Sequence, residues 1–286
     1  MEAERAAKRL FDGCVRMGRY QPHELMRWLV SDVLAGFGVR TGIETPADLR
    51  TWLFDQGAEY ARAVHMAPFE DVLGALYQML GSRGHRGMLG QFFTPQPVAE
   101  LMAHMVGVVP VDASAADQGG GPARLLRMCE PACGSGALVL AFLRHLIERE
   151  GRSGPRRWSI TAIDLDTLCA QICATQILSN ILLGQFDLGE LVVYSGNALA
   201  PPDRLKVVVH ASARDQRPDL ILPAIHPSRV VALRLASQAS IGQAAAQDAP
   251  PLPTGENERG AKRTPSGGRP THEEDMHGGQ IDLFGS

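Results

Sequence analysis

The stretch 125–136, LLRMCEPACGSG, constrains the fold more than any other part of the chain. An apolar run ends at Glu130-Pro131, five small residues follow, and a second apolar run over 137–147 has helical spacing. Strand, glycine turn and helix in that order form a ligand cradle. Glycines let the backbone approach a bound molecule, and a helix start presents N–H groups without intrahelical partners. Glu130, at the end of the expected strand, can accept hydrogen bonds from a polar or cationic ligand.

The following segments repeat the pattern. Residues 159–163 read as a short strand ending at Asp164-Leu165-Asp166, and 167–183 as a long apolar helix. Residues 191–194 form a second strand, leading to the turn Ser195-Gly196-Asn197; 206–210 and 220–222 are further strand candidates. This alternation predicts an α/β fold with a doubly wound, Rossmann-like parallel sheet. Ligands bind such sheets at the carboxyl ends of the strands. Glu130, Asp164 and Asn197 each fall at one. Any of them alone could be a turn former; three in step favour a site.

Residues 1–88 read as a helical N-terminal domain. Leu25, Trp28, Leu29, Val33 and Phe37 follow helical spacing, as do Phe69, Val72, Leu73, Leu76, Tyr77 and Leu80. Thr45-Pro46-Ala47-Asp48 reads as the cap of a helix carrying Leu49, Leu53 and Phe54. Arg83, His85 and Arg86 sit in a glycine-rich loop, either touching phosphate or simply solvated. Gln91-Phe92-Phe93-Thr94-Pro95 leads into a helix over 98–106, with Thr94 placed as its N-cap. Residues 110–122 read as a connector.

The 286 residues carry a net charge of −3, so the overall balance does not point to nucleic acid, although a local basic face is compatible with it. The N-terminus lacks a signal core, and no apolar run is expected to span a membrane. Five cysteines, Cys14, Cys129, Cys133, Cys169 and Cys173, suit a reduced, cytoplasmic chain. Their two Cys-x-x-x-Cys spacings could suggest zinc. One pair lies in the cradle and the other one helical turn apart, so they read as small buried hydrophobes, and no metal site is expected. From about residue 237 large apolar residues almost vanish, which predicts a disordered tail. The expected organisation is 1–88 helical, 89–232 α/β and 233–286 tail.

An acid one helix after a glycine turn also fits a nicotinamide cofactor, but the turn here is G-S-G rather than G-x-G-x-x-G. GQFFTP (90–95), EPACGSG (130–136), the AIDLD strand end (162–166) and GNAL (196–199), in this order, resemble the amino-group, adenine-specific (N6) DNA methyltransferases. The likeness is greatest to the modification subunits of type I restriction–modification systems. There too a helical region precedes the GQFFTP-like motif, and DVLGALYQML (71–80) is similar to the segment just before it. The resemblance covers about residues 71–222. It implies S-adenosylmethionine as cofactor and methyl transfer to the exocyclic amine of adenine in DNA. Phe93 and Thr94 would then lie against the methionine end. Glu130, Pro131 and the Gly134-Ser135-Gly136 turn would hold the amino-acid part. Asp164 would accept the ribose hydroxyls, and Asn197, where the family more often has aspartate, would meet the adenine amine.

One departure matters. The family carries an Asn/Asp-Pro-Pro-aromatic tetrad after the fourth strand. Its carboxamide oxygen and a proline carbonyl orient the target amine for attack on the methyl, and its aromatic stacks on the flipped base. The corresponding place, 219–229, reads DLILPAIHPSR. His226 and Pro227 are the nearest remnant, and a neutral imidazole accepts only one hydrogen bond. The alternative reading is therefore a non-catalytic cofactor-binding or clamp-tethered, DNA-associated module, whereas an active enzyme would need a partner subunit to read the DNA sequence. Gln280-Ile281-Asp282-Leu283-Phe284 is similar to peptides that dock on the bacterial sliding clamp. Gln280, Leu283 and Phe284 would be the docking residues, on a linker reaching roughly 40 Å.

Overall fold

The computed structural model describes residues 2–81, 93–106 and 125–212. Among them are seven α-helices: α1 (Glu2–Arg16), α2 (Pro22–Gly36), α3 (Arg50–Met66), α4 (Val72–Leu80), α5 (Gln96–Val106), α6 (Ala137–Glu150) and α7 (Thr167–Gly184). Four strands form one sheet in the order β1 (Leu126–Glu130), β2 (Trp158–Asp164), β3 (Glu190–Ser195) and β4 (Lys206–Ser212).

α7 is the centre of the arrangement. Every residue from Cys169 to Leu182 is buried, so the helix is covered all round. The sheet packs on one side and α2, α3 and α4 on another. By length and composition α7 could cross a membrane, contrary to the expectation that no segment could, yet 78% of it is buried inside the fold. Its apolar surface is spent on protein. The helices α1–α4 and the sheet layer share one continuous core, running from Leu10 and Leu29 through Leu73 and Ile177 to Val193.

β1, β2 and β3 are parallel, with Glu130 opposite Ala162 and Asp164 opposite Ser195. The crossover helices α6 and α7 touch each other, as successive right-handed crossovers in one direction require. β4 departs from the all-parallel expectation: it runs antiparallel to β3, with a register shift at Val193/Tyr194. The cause is the short connection, which holds only the 3-10 turn Pro202–Arg204 where a parallel return needs a crossover helix. A second winding would need strands beyond β1. The candidate at 220–222 and the boundaries near 88 and 232 lie outside the described residues.

Local signals also differ from expectation. α3 is entered through a 3-10 turn, Ala47–Leu49, with Pro46 rather than Thr45 at the capping position and no side-chain cap. Leu49 and Leu53 are buried, but Phe54 is 60% exposed. Phe69 precedes α4 with a positive φ of 64°, so Asp71, not the Phe69 turn, starts that helix by accepting from Gly74 N. In α5 the first bonds run to Pro95 O, which makes Pro95 the capping residue and leaves Thr94 exposed outside the helix.

Candidate functional site

β1 ends at Glu130, whose Oε1 accepts from Ala132 N at 3.1 Å and bends the chain away from the sheet. The turn is pinned to β2 by Cys133 N donating to Ile163 O, 2.9 Å. Gly134 and Gly136 have φ of 52° and 97°, the left-handed region that glycine enters without strain. At Gly136 a Cβ would lie 2.9 Å from Cys173 Sγ, so α7 passes directly beneath the turn.

Asp164 joins three turns at the carboxyl edge. Its Oδ2 accepts from Gly134 N at 2.7 Å and its Oδ1 from Asp166 N at 2.8 Å. Its carbonyl accepts from Gly196 N, 2.8 Å. Asp166 in turn caps α7 by accepting from Leu168 N, 2.8 Å. Asn197 is exposed, and its Oδ1 accepts from Leu199 N at 2.9 Å. Glu130, Asp164 and Asn197 thus end neighbouring strands as expected. Each also has a role in its own turn, and only Asp164 reaches across to a neighbour.

Phe93 stacks on Tyr77, with centroids 5.5 Å apart and planes at 30°. Its ring covers Gly134, where a Cβ would sit 3.2 Å from Phe93 Cδ1. This brings the start of α5, the middle of α4 and the glycine turn together. Burial, followed by the nearby Cys169, Asp166 and Asp164, pushes the Tyr77 hydroxyl up to about 12, so it stays protonated. Pro131 is exposed on the outer side of the turn.

The sequence reading missed the group beneath the turn. Ser135 Oγ donates to Asp71 Oδ2, and Gln176 Nε2 donates both to Asp71 Oδ1 at 2.7 Å and to Ser135 O at 2.9 Å. Gln176 Oε1 accepts from Leu73 N, 3.0 Å, and one turn further Asn180 Oδ1 accepts from Phe69 N, 2.8 Å. Burial raises the Asp71 carboxyl above its usual range, while the donors from Ser135, Gln176 and Gly74 work against that rise. Three amides, Gln171, Gln176 and Asn180, in a long and mostly apolar helix were the available signal, because buried polar groups need partners.

All five cysteines are free thiols. Cys133 is pushed up first by its contact with Cys173 and then by burial, and Cys169 by burial, so neither is a ready thiolate. The expected remnant His226 and Pro227, and the docking residues Gln280, Leu283 and Phe284, lie outside the described residues.

Compared with known protein families, residues 69–213 match N-6 DNA methylase, and members of that family generally use S-adenosylmethionine. No curated protein and no solved structure matches the chain.

Proposed function

This chain belongs to the N-6 DNA methylase family, and from that premise we propose that it binds S-adenosylmethionine at the carboxyl edge of its sheet. In this reading it serves adenine-specific DNA methylation as a chain like the modification subunits of type I restriction–modification systems. The observation that carries it is the Asp164 junction, which fixes the glycine turn against the ends of β2 and β3.

The residues fit the cofactor's chemistry. A carboxylate offers about four acceptor sites. Asp164 spends two of them on backbone amides, which leaves capacity for a ribose diol. Glu130 spends one on Ala132 N and can take an ammonium group. The Phe93 ring, held by Tyr77, offers its face to a cation. When bound, S-adenosylmethionine supplies an electrophilic methyl on a sulfonium. This chain's residues would hold and orient it.

The transfer step is a different matter. The stretch 219–229 offers His226, Pro227, Ser228 and Arg229 where an amide, two prolines and an aromatic are required. Neither the paired acceptors nor the stacking surface is there. Cofactor binding is therefore assigned to this chain, and the groups that activate adenine to another chain. The second reading, a module with no transfer step of its own, rests on the same stretch.

Calorimetry on the full chain tests the proposal. Saturable binding of S-adenosylmethionine is expected, weakened about tenfold or more by Glu130→Gln and by Asp164→Asn, since each removes charge-assisted hydrogen bonds. No binding heat from protein with an intact circular-dichroism spectrum would sink it. N6-methyladenine in DNA of cells expressing this chain alone would overturn the division of labour.

A further inference from the structure

Away from the glycine turn, α5 and α6 pack together through two histidines. The His104 and His145 ring centroids are 4.4 Å apart, at 54°. Glu148 follows His145 by three residues and so lies one turn along the same face of α6. One ligand atom from each of His104, His145 and Glu148 can be chosen so that all lie within 4.8 Å of one another. We propose that these three side chains bind a divalent late transition metal, zinc by preference, as a clasp between α5 and α6.

Three observations carry this. First, His104 Nδ1 lies 2.7 Å from the carbonyl oxygen of Glu100. A carbonyl only accepts, so Nδ1 carries the proton and Nε2 keeps its lone pair free. A backbone carbonyl behind the distal nitrogen is the usual way a ligating histidine is oriented. Second, His145 is only 8% exposed, and its Nε2 is buried without a hydrogen-bond partner among the described residues. An orphaned buried ring nitrogen is costly unless something takes it. Third, Arg144 faces three carboxylates, Glu70 at 3.5 Å, Glu100 at 3.2 Å and Glu148 at 3.1 Å. That arrangement leaves surplus negative charge for a dication to offset, against the opposing charge of Arg149.

Two imidazoles and one carboxylate select zinc, cobalt or nickel over magnesium or calcium, which prefer all-oxygen sets. Ligand atoms around tetrahedral zinc stand about 3.4 Å apart. Binding would draw the ligand atoms in from their present spacing of up to 4.8 Å. Water would complete the fourth position. The clasp has a consequence for the glycine turn: α5 begins just after Phe93 and α6 just after Gly136. Fixing the two helices fixes the Phe93 ring over Gly134.

The test uses untagged full-length protein stripped with a chelator. Cobalt(II) is added until saturation, followed by zinc. The expected result is one cobalt per chain with visible absorption bands of a low-coordinate site, displaced by zinc, and a rise in Tm. His104→Ala, at an exposed position, should weaken cobalt binding by about tenfold or more without changing the Tm of the metal-free protein, and Glu148→Gln should weaken it too. Absence of saturable cobalt binding, or binding undiminished in both variants, would overturn the proposal.

Discussion

Gln176 Nε2 stands 2.7 Å from Asp71 Oδ1, joining the first turn of α4 to the middle of α7 across 105 positions of sequence. The same amide also holds Ser135 O and Leu73 N. One side chain thus couples the helical layer to the underside of the glycine turn.

Replacing Gln176 with Leu keeps the volume but removes these bonds. Leu73 N and Ser135 O lose a partner in a buried setting, and Asp71 loses a donor. The expected loss is about 2–4 kcal/mol in the free energy of unfolding, measured in urea. A loss below about 0.5 kcal/mol would mean that the group is not structural.

Asp71 also sets a pH dependence. Burial raises its folded-state pKa above the ordinary aspartate value of 3.8. Folding therefore favours the protonated form. That stabilisation is complete below the unfolded pKa and is lost as pH rises through the folded one. Wild type and Asp71→Asn compared from about pH 4 to about pH 8 should show the advantage of wild type shrinking across the range. A difference that does not move with pH would count against it.

Gly136→Ala meets two obstacles, a φ of 97° and Cys173 Sγ at 2.9 Å. The expected cost is about 1–3 kcal/mol. In a Cys173→Ala background part of the clash is gone, so the penalty should be smaller, and the double-mutant cycle should report coupling. Purely additive effects would show that backbone strain alone is at work.

The docking proposal for the chain's last residues rests on Gln280, Leu283 and Phe284. Pull-down of a bacterial sliding clamp by the full chain should be lost on Phe284→Ala, because the aromatic anchor supplies most of the apolar contact. Equal recovery by both proteins would remove this proposal and leave cofactor binding untouched.

The strand ends at Glu130 and Asp164 were legible because an apolar run, an acid and small residues follow one another locally. Helix starts were less so. Phe69 fits the helical period of α4, but its positive φ places it in the preceding turn, where Asn180 holds its amide. The direction of β4 depends on whether the connection can hold a crossover, a tertiary matter that strand propensity does not carry. Asp164 read as a ligand acceptor, whereas its part in fixing Gly134 became visible only once both turns were side by side. The Asp71–Gln176 group was hidden for the same reason. Each partner looks ordinary in its own helix, and the two stand 105 positions apart in the sequence.

The enclosure of α7 bears on how this protein could be shortened. A chain starting at α5 would lose the cover that α2, α3 and α4 give to a helix buried on every side. Trimming the leading helices away would bare that buried surface and is expected to yield aggregates rather than a smaller folded unit.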